Sequence, residues 1–117
     1  MRSVTHFELA LPEIDMRQTI ERVVRDIAHR VPTATIAARF HSTVAKMIAE
    51  VCRCLRSQEG LRRVCLSGGT FRNCTLLGQT VAALRRQEFD VFLHAQVPPN
   101  DGGLSLGQAV VAKATKL

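Results

Sequence analysis

Apolar residues recur with helical spacing in some stretches of this chain and form short unbroken runs in others. Ile20, Val23, Val24 and Ile27 fall at i, i+3, i+4 and i+7 behind Asp15, a good N-cap. That spacing predicts an amphipathic helix over roughly residues 16–29, broken by Pro32. Ile36, Phe40, Val44, Met47, Ile48, Val51 and Leu55 keep the same rhythm from about Thr33 to Ser57. They predict a longer second helix that stops at Glu59-Gly60 and forms the spine for a sheet. Residues 4–11 alternate in part before Pro12 and predict a short edge strand.

Val64, Cys65 and Leu66 are too few for a helix and predict a strand buried on both faces, ending at Ser67-Gly68-Gly69. Phe71, Leu77, Val81 and Leu84 mark a third helix that closes near Gln87. Asp90 then precedes a second strand, Val91-Phe92-Leu93-His94. Strand, helix, strand predicts a right-handed parallel crossover, with the following turns opening at the carboxyl ends of neighbouring strands. That is the edge where open α/β sheets hold ligands. A turn over residues 97–108 leads into a helix rich in alanine and valine. The predicted class is α/β: one domain over residues 1–117, with a short parallel sheet and a β-α-β crossover packed by about four helices.

The two turns carry the candidate chemistry. Gly68 and Gly69 allow positive φ and close backbone approach. Turn N–H groups and the positive end of the next helix then face one small volume, which suits a phosphate or nucleotide. Ser-Gly-Gly also ends many strands for steric reasons alone, and a plain turn is the commoner meaning of that spacing. In the second turn Pro98 and Pro99 stiffen the approach, and Gly102-Gly103 let the chain bend beside Asp101. Asn100 and Asp101 are good N-caps, so helix capping competes with a ligand role. Paired glycines exceed what a helix start needs, and a carboxylate beside a phosphate loop is what a metal–phosphate site uses.

Composition narrows the classes. A chain of 117 residues fits one domain and buries roughly two-thirds of its unfolded surface. Apolar residues make up 46% and charged ones 22%, as in soluble domains, and no apolar run approaches the ~20 residues of a membrane span. His6 and Glu8 interrupt any apolar stretch that would make a secretion signal, so the cytoplasm is the expected compartment. The net charge of +6 is carried mostly by arginines, but Arg17, Arg22, Arg25 and Arg30 are interleaved with Glu21 and Asp26. With no Trp or Tyr, and five Phe in mostly apolar contexts, a stacking platform for single strands is not expected, which argues against nucleic acid. Cys52 and Cys54 lie two apart on a helix and point about 200° from each other, so they are no zinc pair. Cys65 and Cys74 read as small core residues, and reduced thiols fit the cytoplasm. His29 reads as a satisfied or solvent-facing histidine near a helix end, and His41 as a packing or capping one.

Both turns together resemble a known family. Ser67-Gly68-Gly69-Thr70-Phe71-Arg72-Asn73 and Pro98-Pro99-Asn100-Asp101-Gly102-Gly103-Leu104-Ser105-Leu106-Gly107-Gln108 are similar to the end of the hydrogenase-maturation carbamoyltransferase HypF. Ile14-Asp15 and Ile36-Ala37-Ala38-Arg39-Phe40-His41 resemble it at similar spacing, so the likeness covers nearly the whole chain. The Pro-Pro-Asn-Asp-Gly-Gly stretch is specific to it, while Ser-Gly-Gly is shared with the related synthase of threonylcarbamoyl-adenosine in tRNA.

The resemblance implies an actin-like, sugar-kinase-like ATPase fold, with this chain as the C-terminal part of one lobe. It implies an adenine nucleotide, ATP or carbamoyl-adenylate, with a divalent metal, and transfer of the carbamoyl group to the C-terminal cysteine of HypE. By position, Ser67, Gly68, Gly69 and Asn73 would line the nucleotide. Asp101 would contact the metal, and Asn100, Gly102 and Gly103 would shape the nucleotide loop; no catalytic residue is assigned. The family's other domains, with their paired-histidine metal site, have no counterpart in these residues, and Arg30 stands where the family favours glycine. The expectation is a lobe that is inactive alone. The alternative is a self-associating module that keeps the fold without catalysis, as a homodimer through an exposed sheet edge or the long helix.

Overall fold

Helix α2 (Thr33–Glu59) is the longest element, and the helices before and after it in the chain pack against it. The computed structural model describes residues 13–115, so the strand expected over residues 4–11 lies outside the described residues. Ala45 and Ala49 are buried on α2, and residues this small let α3 (Cys74–Arg86) approach closely. Ala49, Leu66, Leu84 and Phe89 form the buried cluster, with Val64, Leu77, Val81 and Val91 packed against it. Arg56 lies 4.2 Å over the Phe89 ring and donates to the Gln87 carbonyl, fastening α2 to the connection after α3. Gly60, at φ 69, closes α2 in the left-handed conformation, its N–H donating to the Arg56 carbonyl at 2.8 Å.

Strands β1 (Arg63–Cys65) and β2 (Asp90–Phe92) pair in parallel, with Arg63 against Asp90, Val64 against Val91 and Cys65 against Phe92. The chain between them runs through α3, so the β-α-β crossover is present, in a mixed α/β architecture with four helices. Helix α1 (Arg17–Ala28) packs on the N-terminal part of α2, and α4 (Leu104–Ala114) follows the second turn. No helix among the described residues is long and apolar enough to cross a membrane.

Several expectations are corrected. The strand at 63–65 is not buried on both faces: α2 and α3 cover one side, while Cys65 and Phe92 face outward without cover among the described residues. Cys65 is therefore exposed rather than in the core, and so is Cys74, the first residue of α3. Phe71 belongs to a separate 3-10 turn (Gly69–Arg72) rather than to α3. Met16 takes the N-cap of α1, while Asp15 accepts the Arg17 N–H at 3.0 Å and pairs with its guanidinium at 2.7 Å. That hydrogen-bonded guanidinium holds the Asp15 carboxyl below the usual carboxylate range.

Apolar stripes on the outer helices stay uncovered. Ile20, Val24 and Ile27 on α1 are 60%, 59% and 62% exposed, and Leu104, Val110 and Val111 on α4 are exposed likewise. The radius of gyration is 17.5 Å, against about 13 Å for a compact domain of this length.

Helix α1 ends in a Schellman motif. The Arg30 N–H donates to the Ile27 carbonyl and the Val31 N–H to the Asp26 carbonyl, both at 3.0 Å. His29 Nδ1 donates to the Arg25 carbonyl at 2.7 Å, so this histidine is satisfied at the helix end. Arg30 fills the left-handed position, at φ 56, that such a motif ordinarily gives to glycine. The Cβ crowding there costs about 1–2 kcal/mol, partly offset by the greater freedom glycine loses on folding. Arg30→Gly is expected to raise stability by about 0.5–1 kcal/mol, read as a higher urea midpoint. A lowered midpoint would show that the arginine side chain contributes more than its backbone costs.

Candidate functional site

The first hinge begins where β1 runs out. The Leu66 N–H still donates to the Phe92 carbonyl at 3.0 Å, extending the ladder by one rung. Gly68 then adopts φ 107 and ψ 155, a region open in practice only to glycine. Of the expected pair only Gly68 uses positive φ; Gly69 does not, and a Cβ placed on it would meet open space.

Asn73 starts α3 afresh. Its Oδ1 accepts the N–H groups of Thr75 and Leu76, both at 3.1 Å. Its Nδ2 is thereby the donor to His41 Nε2 at 2.9 Å, which ties α2 to the start of α3. His41, expected to pack or to cap, caps no helix itself but holds the side chain of Asn73, the residue that caps α3. The positive end facing the turn belongs to the 3-10 segment and not to α3. A 3-10 start leaves its first N–H groups, those of Gly69 and Thr70, without partners inside the turn.

In the second hinge Asn100 Oδ1 accepts the Gly102 N–H at 3.1 Å, and the Asn100 carbonyl accepts the Gly103 N–H at 3.0 Å. The resulting 3-10 turn (Asp101–Gly103) leads directly into α4. Gly103 is required by proximity rather than by φ. A Cβ there would lie 2.7 Å from the Pro98 carbonyl oxygen and 3.0 Å from Val97 Cγ1.

One bond joins the hinges: the Gly68 N–H donates to the Pro99 carbonyl at 2.7 Å. They therefore open into a common cleft of about 770 Å³, lined by Ser67, Gly68 and Gly69 on one side and Asn100, Asp101 and Gly103 on the other. Leu104, Gly107 and Val111 of α4 form its wall. Asn73 and Gly102 do not line it; the first is engaged in its cap, and the second turns its N–H to Asn100.

Asp101 is exposed at the rim, and its carboxylate has no partner among the described residues. No group of three or more His, Cys, Asp or Glu side chains gathers among the described residues. The chain thus offers one oxygen donor, too few for an all-protein metal cage. It does suit a magnesium-type ion that keeps waters and takes its other oxygens from phosphates. Burial pushes the Cys52 thiol up, away from the thiolate form that a nucleophile uses.

Sequence reasoning missed His94. Its Nε2 lies 2.8 Å from Ser67 Oγ, and it lines the cleft. The signal was the register: counting two residues on from Cys65 and Phe92 sets Ser67 beside His94.

Residues 2–108 match the family described as "Carbamoyltransferase, Kae1-like Domain, second subdomain". The chain is 34% identical to the carbamoyltransferase HypF of Synechocystis over 95 residues, covering 81% of this chain and 12% of that protein. It is 37% identical to the HypF of Rhodobacter capsulatus over 79 residues, or 68% of this chain and 10% of the relative. The chain spans 12% of the first relative's length and 10% of the second's. The crystal structure of full-length HypF in the phosphate- and nucleotide-bound form superposes with a TM-score of 0.84 at 31% identity, covering 100% of this chain and 16% of that one.

Proposed function

Since the chain belongs to the HypF carbamoyltransferase family, as the second subdomain of its Kae1-like domain, we propose that it is a nucleotide-binding lobe for carbamoyl transfer in nickel–iron hydrogenase maturation. The observation that carries this reading is the Gly68–Pro99 hydrogen bond, which turns two distant glycine hinges into one cleft with a carboxylate at its rim. The related full-length HypF was solved with phosphate and nucleotide, which supports the same ligand class here.

In this reading the Gly69 and Thr70 N–H groups take phosphate oxygens, and the bare backbone of Gly103 keeps the second hinge tight against its prolines. Asp101 holds a divalent ion that screens the phosphate charge when bound. The ligand is an adenine nucleotide, ATP or carbamoyl-adenylate, and the eventual carbamoyl acceptor is HypE. A single carboxylate and an open cleft do not complete a catalytic site, so the chain alone binds without turning over. The cytoplasm is its compartment in this reading, in keeping with four free cysteines.

Magnesium–ATP at about ten times its Kd is expected to stabilise the chain by ~1.4 kcal/mol and raise its Tm by several degrees. Asp101→Ala is expected to remove the magnesium-dependent part of that rise while leaving the apo Tm unchanged. No shift at millimolar nucleotide would sink the reading.

The uncovered stripe of Ile20, Val24 and Ile27 favours a second reading, a self-associating module without catalysis. Light scattering on a gel-filtration column decides it: a monomer at tens of micromolar removes this alternative.

A further inference from the structure

We propose that His94 is a positioning residue that aims the Ser67 hydroxyl into the cleft as a donor to a phosphate oxygen. This rests on the nucleotide reading above and adds the element that recognises the phosphate.

The pairing is built into the sheet. Cys65 stands opposite Phe92, so two residues further on Ser67 and His94 leave the strand tips side by side, with Oγ and Nε2 2.8 Å apart. Both line the cleft.

A serine hydroxyl has one proton and two lone pairs, and a neutral imidazole has one donor and one acceptor nitrogen. If Nε2 accepts, the Ser67 proton is consumed and only lone pairs face the ligand, which repel a phosphate. If Nε2–H donates to Oγ, the serine proton is left to point outward. A phosphate oxygen therefore selects the second arrangement, in which the imidazole polarises the hydroxyl it donates to.

The rest of the cleft makes this donor matter. Among the described residues no lysine or arginine lines it, and the Gly68 N–H is already given to Pro99. Asn100 spends its Oδ1 on Gly102, and Asp101 repels an anion unless a cation intervenes. Recognition of a phosphate then falls on turn N–H groups and on the Ser67 hydroxyl.

The test measures binding of magnesium–ATP, inorganic phosphate and adenosine to the wild-type chain and to Ser67→Ala, His94→Phe and His94→Gln. His94→Phe is expected to weaken ATP and phosphate about tenfold and adenosine less than about twofold. Glutamine can present an N–H at similar reach, so His94→Gln should restore affinity to within about threefold. Ser67→Ala combined with His94→Phe should lose no more than either alone, because the two act as one donor. The imidazole nitrogens of His94, followed by NMR in the wild-type chain, should show Nε2 become the protonated nitrogen on adding ATP.

Binding by His94→Phe at wild-type strength, additive losses in the double variant, or an unmoved imidazole signal would each overturn the proposal while leaving the nucleotide reading intact. A wild-type chain that binds neither ATP nor phosphate would sink that reading first, and the His94 role with it.

Discussion

Gly68→Ala is expected to cost about 1–3 kcal/mol of stability and to abolish protection by nucleotide. A Cβ at this position would have nothing within 4 Å, so the cost is conformational rather than steric. Alanine does not hold φ 107 with ψ 155, and the peptide must rotate toward negative φ to relieve it. Rotation takes the Gly68 N–H away from the Pro99 carbonyl, the bond that brings the two hinges together. Stability and binding should therefore fall together. Gly69→Ala is the control, since Gly69 itself lacks positive φ and also has open space around a Cβ. It should lie within about 0.5 kcal/mol of the wild type in urea. Equal stability of the two alanine variants would show that the hinge does not depend on the Gly68 conformation.

The second large effect lies in the core. Leu84 is 0% exposed and belongs to the one buried cluster found among the described residues, with Ala49, Leu66 and Phe89. Leu84→Ala removes most of the side chain that joins α3 to α2 and to the sheet, at an expected cost of about 2–5 kcal/mol. Small domains have ~5–15 kcal/mol in total, and this chain buries few large side chains. The variant should therefore show a urea midpoint near zero or no cooperative transition. Ile27→Ala, on the uncovered face of α1, should by contrast cost less than about 0.5 kcal/mol. A Leu84→Ala loss below about 1 kcal/mol would mean that the cluster is not what holds the chain together.

Much of this architecture was legible in the sequence because helices repeat their apolar residues over many turns. The stripe from Ile36 to Leu55 could only be one long helix, and the observed Thr33–Glu59 differs by two residues at its end. Both strands begin one residue before the expected Val64 and Val91, because pairing starts at the Asp90 N–H to Arg62 carbonyl bond rather than at the first apolar side chain, and the second ends at Phe92 rather than His94. Both hinges were visible as glycine pairs, but the reason each glycine is there was not. Gly68 serves for its φ and Gly103 for the nearness of Pro98, and a pair of letters does not separate those causes.

Burial was the least legible property. Cys65 looked like a core residue because it sits between Val64 and Leu66, yet a two-stranded sheet covered on one side sends every second residue outward. The pattern of α1 says that one face is apolar and nothing about what lies on it. In a chain that spans 12% of its Synechocystis relative, that face is uncovered among the described residues. Ser67 and His94 are separated by 26 intervening positions, and only the register of both strands brings them together. Arg30 was the reverse case, a departure from an expected glycine that the backbone bears out at φ 56.

Helix α4 forms a wall of the cleft yet packs chiefly against the short turn that precedes it. If a wall anchored at one end keeps freedom that a ligand must remove on arrival, that ordering entropy lowers the apparent affinity. In the nucleotide reading, any body that settles on exposed Val110, which does not line the cleft, would immobilise the wall in advance. It would tighten nucleotide binding with no atom touching the nucleotide, and by reciprocity the nucleotide would tighten its hold on that body in equal measure.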